Sequence, residues 1–201
     1  MPFANARASV ATSCRTKIAG GCVTKLSGSF TAPMSKHQLV AVDTNVLMRL
    51  AARHESTLDA WELIKRRLDP VQFLAPPTVL DELADKHRHD PNSEVRACAR
   101  LALVEMRGRW QVHPRDFNAV EEAIVANAVR ELRHSGLLPY EERNDASILA
   151  ESSVLKCVLL VSRDSHLYDI DPDKLSLLFR QLDLPAPLIA SPENLLKKFY
   201  S

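Results

Sequence analysis

The sequence predicts an α/β protein, a three-layer α/β/α sandwich around a central, mainly parallel sheet, and three observations carry that prediction. Short apolar or β-branched runs alternate with amphipathic stretches of helical length, the order in which parallel strands and their crossover helices appear. Two of the runs, LVAV at 39 to 42 and VLLV at 158 to 161, are apolar throughout, as inner strands are. Proline stands at helix starts, in Pro76-Pro77 and in Ser191-Pro192-Glu193.

Taken in order, LVAV is the first strand and ends against Asp43, the first acid in the chain. Residues 55 to 68 form a helix, with Leu58, Trp61, Leu63, Ile64 and Leu68 approximating one face. VQFLA at 71 to 75 is the second strand; Pro77 opens the helix that carries TVLDELADKHR. Apolar and basic residues alternate at helical spacing from Ser93 to Arg107, and WQVH at 110 to 113 reads as a strand. Asp116 is placed to cap a long helix over 117 to 134 that Gly136 ends. A helix begins near Asp145, VLLV supplies an inner strand, and PLIA at 187 to 190 a late one. Ser191, Pro192 and Glu193 then open the last helix with a capping hydroxyl, a fixed φ and an acid favoured by the dipole.

The 201 residues, 46% hydrophobic and 25% charged, suit one globular domain with a tail. No run approaches the apolar length of a membrane span, so the expectation is a soluble protein with no membrane partner. Cys14, Cys22, Cys98 and Cys157 show neither zinc spacing nor a disulfide framework and read as reduced thiols of a cytoplasmic-type compartment. Residues 1 to 38 differ from the rest: five basic residues and no acid, against 21 basic residues and 25 acids in 39 to 201. That basic tail is expected to be disordered and outside the fold. Its composition fits a transit peptide for organellar import, a start at Met34, or a basic nucleic-acid-binding arm.

Ligands of open parallel sheets collect beyond the carboxyl ends of the strands. Asp43 ends the first strand, and Asp164 follows VLLVSR two residues after Ser162. Glu82 lies in the first turns of the helix after the second strand, and Asp145 at a helix start in ERNDASILAES. Each invites a local explanation: Asp43 and Asp145 as helix caps, Glu82 as a surface acid beside Asp81. Register favours Glu82, because Val79, Leu80 and Leu83 mark the buried side of its helix. Four clustered carboxylates repel and must share protons or bind a cation. An oxygen-only set favours Mg2+ or Mn2+ over zinc, and such ions support phosphodiester hydrolysis.

The acids fall within four motifs: VDTNVL (42 to 47), the glutamate of LDELA (80 to 84), RNDASILA (143 to 150) and LLVSRDSHL (159 to 167). In that order they resemble the PIN-domain nucleases, over about residues 39 to 199. The resemblance implies Asp43, Glu82, Asp145 and Asp164 as metal-binding, catalytic acids, with Asn45 and Ser162 as supporting polar residues. It also implies a ribonuclease acting on single-stranded or structured RNA, with a metal-activated water leaving a 5′ phosphate. Many small members of the family are toxins neutralised by an antitoxin protein, and homodimers are common.

Two features depart from the compact toxin-type pattern: a long segment from about 85 to 135 and the basic tail. The body's excess of acids weakens unspecific nucleic-acid binding, which depends on phosphate neutralisation. Arg49, Arg53, Arg143 and Arg163, beside the motif acids, are the candidates for RNA contact, or else ordinary solvated arginines. Asp169, Asp171 and Asp173 read as a solvated turn around Pro172, Glu141, Glu142 and Glu151 as similar acids, and His87 and His89 as a solvated helix end. The alternative to an enzyme is a catalytically quiet RNA- or protein-binding module of the same fold. A phosphotransfer enzyme with an aspartyl nucleophile fits poorly, since haloacid-dehalogenase-like phosphatases need a second aspartate where this chain has Asn45.

Overall fold

The run at 39 to 42 becomes the central strand of a sheet in the computed structural model, which describes residues 37–200. Expectations for residues 1 to 36 lie outside the described residues. The elements follow as β1 (Gln38–Val42), α1 (Thr44–Ala51), α2 (Glu55–Arg67), β2 (Val71–Ala75), α3 (Pro77–His89) and α4 (Ser93–Gly108). Then come β3 (Val112–Pro114), α5 (Ala119–Ser135), α6 (Arg143–Val154), β4 (Leu159–Val161), α7 (Ser165–Tyr168), α8 (Pro172–Gln181), β5 (Leu188–Ala190) and α9 (Pro192–Tyr200).

The sheet order is β3-β2-β1-β4-β5 and every pairing is parallel. Val40 sits opposite Phe73 on one side and Leu159 on the other, which places Val40, Ala41 and Val42 out of contact with water. A strand buried on both faces has no polar face, and the unbroken apolar run reflects this. Right-handed crossovers direct the helices before and after the reversal at β1 to opposite faces of the sheet, giving three layers. On one side α1 packs on α2 and α4, and α2 on α9; on the other α5 packs on α6 and α8. Trp61 of α2 stacks on Phe73 of β2 with ring centroids 3.7 Å apart. No helix among the described residues is long and apolar enough to cross a membrane.

Several local expectations need correction. The first strand begins at Gln38, one residue before the expected 39 to 42, and the Gln38 N–H bonds the Pro70 carbonyl. The third strand is Val112–Pro114; Trp110 and Gln111 precede it, and Gln111 takes a positive φ of 54° that no regular strand accepts. The cap of α5 is Asn118 rather than Asp116: its carboxamide accepts from the N–H groups of Val120 and Glu121, while Glu121 reaches back to the Asn118 N–H at 2.9 Å. This reciprocal pair satisfies more orphan donors than a lone aspartate two residues earlier. Gly136 ends α5 in the left-handed region, at φ 68°. The acidic segment near Pro172 is the start of α8, capped by Asp171, which accepts from Asp173 and Lys174.

Candidate active site

The chain reverses its direction across the sheet between β1 and β4, the crevice where open parallel sheets bind ligands. Asp43 stands at the carboxyl end of β1, buried, its N–H bonded to the Val161 carbonyl of β4 at 3.0 Å. It also caps α1, accepting from the Thr44 N–H at 2.6 Å. The cap and the cluster are therefore one residue. Its other oxygen accepts from Asn45 Nδ2 at 2.7 Å and from the hydroxyl of Ser162, which is fully buried. Burial, opposed by the Ser162 bond and aided by Glu82, raises the Asp43 pKa to about 6.

Ser162 is the hub of this end of the sheet. It donates to Asp43, accepts from the Asp164 N–H at 3.0 Å and lies 3.4 Å from Asn45 Nδ2. Asp164 caps the short α7 by accepting from the His166 N–H at 2.9 Å. Glu82 projects from the second turn of α3, one oxygen bonded by the Thr44 hydroxyl and the other by Asn144 Nδ2 at 2.6 Å. Asp81 beside it is exposed. Asp145, in the first turn of α6, is buried, and its Oδ2 meets no donor. Burial first, and then Asp164, Asp43, Glu142 and Glu82, push its pKa up to about 7.

These four acids line one cleft of about 540 Å3 with Glu141 and Glu142, while Lys86 and Arg143 are its basic side chains. Six acids against two bases make a wall that attracts cations and repels a bare polyanion. With each side chain as it stands, no group of three His, Cys, Asp or Glu among the described residues is arranged to hold a metal ion. The donor set nevertheless fits a hard divalent cation, because it is all oxygen, mutually repulsive and includes the unpartnered Asp145 Oδ2.

The arginine candidates separate. Arg143 lines the cleft at the start of α6. Arg49 and Arg163 do not line it: both pair with Glu193 at the start of α9, and the Arg163 backbone N–H bonds Asn45, which does line it. Arg53 is exposed beyond the end of α1 and does not line the cleft. Residues not singled out from sequence are Thr44, Asn144 and Lys86, each signalled only by position: next to a motif acid, or one helical turn after Glu82. Glu141 and Glu142, read as solvated, line the cleft, and Glu151, also read as solvated, is buried against Thr78. His89 pairs with Asp85 at 2.8 Å on the exposed end of α3.

Among solved structures, the fold matches a chain of VapBC2 from Rickettsia felis, a complex bound to a DNA fragment from its promoter. The TM-score is 0.51 and the identity 17%, covering 77% of this chain and 98% of that chain. A chain of FitAcB from Neisseria gonorrhoeae matches with a TM-score of 0.45 and 15% identity, covering 77% and 98%. No family model matches the sequence, and no curated protein matches it. The first likeness, with the all-parallel sheet, establishes the PIN-like sandwich as the fold of this chain.

Proposed function

We propose that this chain is a divalent-cation-dependent ribonuclease of the PIN type, hydrolysing phosphodiester bonds of single-stranded RNA. The observation that carries the reading is the convergence of Asp43, Glu82, Asp145 and Asp164 on one cleft at the reversal of the sheet, with Asp145 Oδ2 buried and unpartnered. Those four acids would hold Mg2+ or Mn2+. The ion, when bound, supplies a water of lowered pKa and offsets charge on the phosphate and the leaving oxygen. Ser162 and Asn45 orient Asp43, and Thr44 and Asn144 orient Glu82. Lys86 and Arg143 bring the positive charge that a phosphodiester needs beside an acidic wall. A toxin-type role, with an antitoxin protein as partner and a homodimer as the assembly, belongs to the same proposal. The toxin-type role and its partner draw on the likeness of fold to the VapBC2 chain, and the homodimer on the motif resemblance alone.

A second reading, a quiet RNA- or protein-binding module, draws on the hydrogen bonds that already occupy Asp43, Glu82 and Asp164. Cleavage of labelled single-stranded RNA with Mn2+ separates the two. The expected result is cutting by the wild type, inhibition by EDTA, and loss of cutting in Asp43→Asn and in Asp145→Asn. Variants that cut at the wild-type rate would overturn the site; Mn2+ binding without cleavage would favour the module.

A further inference from the structure

Glu193 lies outside every motif, yet one of its oxygens holds two of the arginines beside the motif acids. Its Oε1 is 3.3 Å from Arg49 Nη2, 3.3 Å from Arg163 Nε and 3.4 Å from Ser56 Oγ. The carboxylate is anchored in the first turn of α9, a helix that Ser191 caps by accepting from the Asn194 N–H at 3.1 Å. Arg49 is largely enclosed, its Nε bonded to Thr57 Oγ1 at 3.1 Å and its Nη2 facing the ring of His54. It can anchor Glu193 but has little left to offer a ligand.

Arg163 differs. Its side chain is 41% exposed, and only its Nε is engaged; the two Nη groups make no hydrogen bond among the described residues. Its backbone N–H bonds Asn45 Oδ1 at 3.1 Å, and it stands between Ser162 and Asp164, so its root is tied to the acid site itself. A guanidinium paired through its Nε keeps both Nη groups for a ligand, and such a fork can bind a phosphate through two parallel N–H bonds.

We propose that Arg163, aimed by Glu193 and backed by Arg49, is a subsite for a backbone phosphate of the single strand, adjoining the phosphate at the acid cleft. Glu193 is a positioning residue: it gives up net positive charge in exchange for a fixed fork. The ligand's identity as a nucleic-acid strand rests on the function proposed above. The subsite also answers a difficulty of that reading, since an acidic cleft needs a fixed cation at its edge to retain a polyanion.

The test is equilibrium binding of a short fluorescein-labelled oligoribonucleotide in EDTA, read by anisotropy across a salt series. Arg163→Met should lower the slope of log Kd against log salt by about 0.7, the loss of one phosphate contact on a single strand. Arg180→Met, on the exposed face of α8, should leave the slope unchanged. Glu193→Ala should weaken binding by about threefold although it removes a negative charge, and Glu193→Gln, which keeps the acceptor, should stay within about twofold of wild type. Tighter binding by Glu193→Ala, an unchanged slope in Arg163→Met, or no binding by the wild type would each overturn the subsite. Mn2+-dependent cleavage by the wild type is scored separately. A wild type that binds with the expected slopes but never cuts sinks the ribonuclease and leaves the subsite standing. One that cuts while Arg163→Met keeps its slope sinks the subsite alone.

Discussion

Thr78 donates both its backbone N–H, at 3.1 Å, and its hydroxyl, at 2.6 Å, to the carboxylate of Glu151, 73 residues further along the chain. The start of α3 has only Pro76 before it, which offers no capping side chain, so an acid from α6 does the capping from a distance. This contact ties the helix that carries Glu82 to the helix that carries Asp145. Glu151 is 5% exposed, and burial pushes its pKa up to about 7 against the lowering effect of the two Thr78 bonds.

An acid whose folded pKa lies above its unfolded 4.5 favours folding most below that value, and the contribution is lost as pH rises towards 7. Glu151→Gln keeps an acceptor for the Thr78 N–H and removes the titration. The variant should match wild type near pH 4 and exceed it by roughly 1–3 kcal/mol near pH 8. Urea melts at the two pH values measure this; equal stabilities at both would mean that Glu151 ionises without cost.

Asp145 carries the same sign for a different reason, since Asp164, Asp43, Glu142 and Glu82 add to burial in raising it to about 7. In EDTA near pH 8, Asp145→Asn should therefore melt higher than wild type by a few degrees, a shift that corresponds to about 1 kcal/mol. Excess Mn2+ should raise the wild-type melting temperature and move the variant much less. The apparent Mn2+ affinity of wild type should also climb with pH through about 6 to 7, as Asp43 and Asp145 lose their protons. A variant that responds to Mn2+ as wild type does, or an affinity indifferent to pH, would remove Asp145 from the site.

Thr44 is buried and its hydroxyl holds Glu82. Thr44→Val retains the shape but frees one oxygen of that carboxylate, leaving the other on Asn144, and partners of this kind are worth about tenfold or more in metal affinity. The Mn2+ concentration for half-maximal cleavage should rise by about tenfold, while activity at saturating Mn2+ recovers. Loss of activity that no Mn2+ concentration restores would show that Thr44 acts otherwise than through Glu82.

The residues alone make legible the parts governed by neighbours within a turn or a strand. Unbroken apolar runs marked β1 and β4, because a strand in the middle of a parallel sheet must be apolar on both faces. Pro77 and Pro192 marked helix starts because the proline ring fixes φ, and Gly136 a helix end because a residue without Cβ accepts the left-handed φ found there. The four motif acids could be assigned to the ends of strands and starts of helices for the same reason. Tertiary structure decided what depends on distant partners. The cap of α5 is not among these, since Glu121, three residues after Asn118, completes a capping box that Asp116, with Ala119 at that place, has no means to close. Glu151 and Glu193 look alike as surface acids, yet one is buried under α3 and one bridges two arginines. A carboxylate's chemistry follows from its solvation and from charges within a few ångströms, and only the folded chain brings those charges to it.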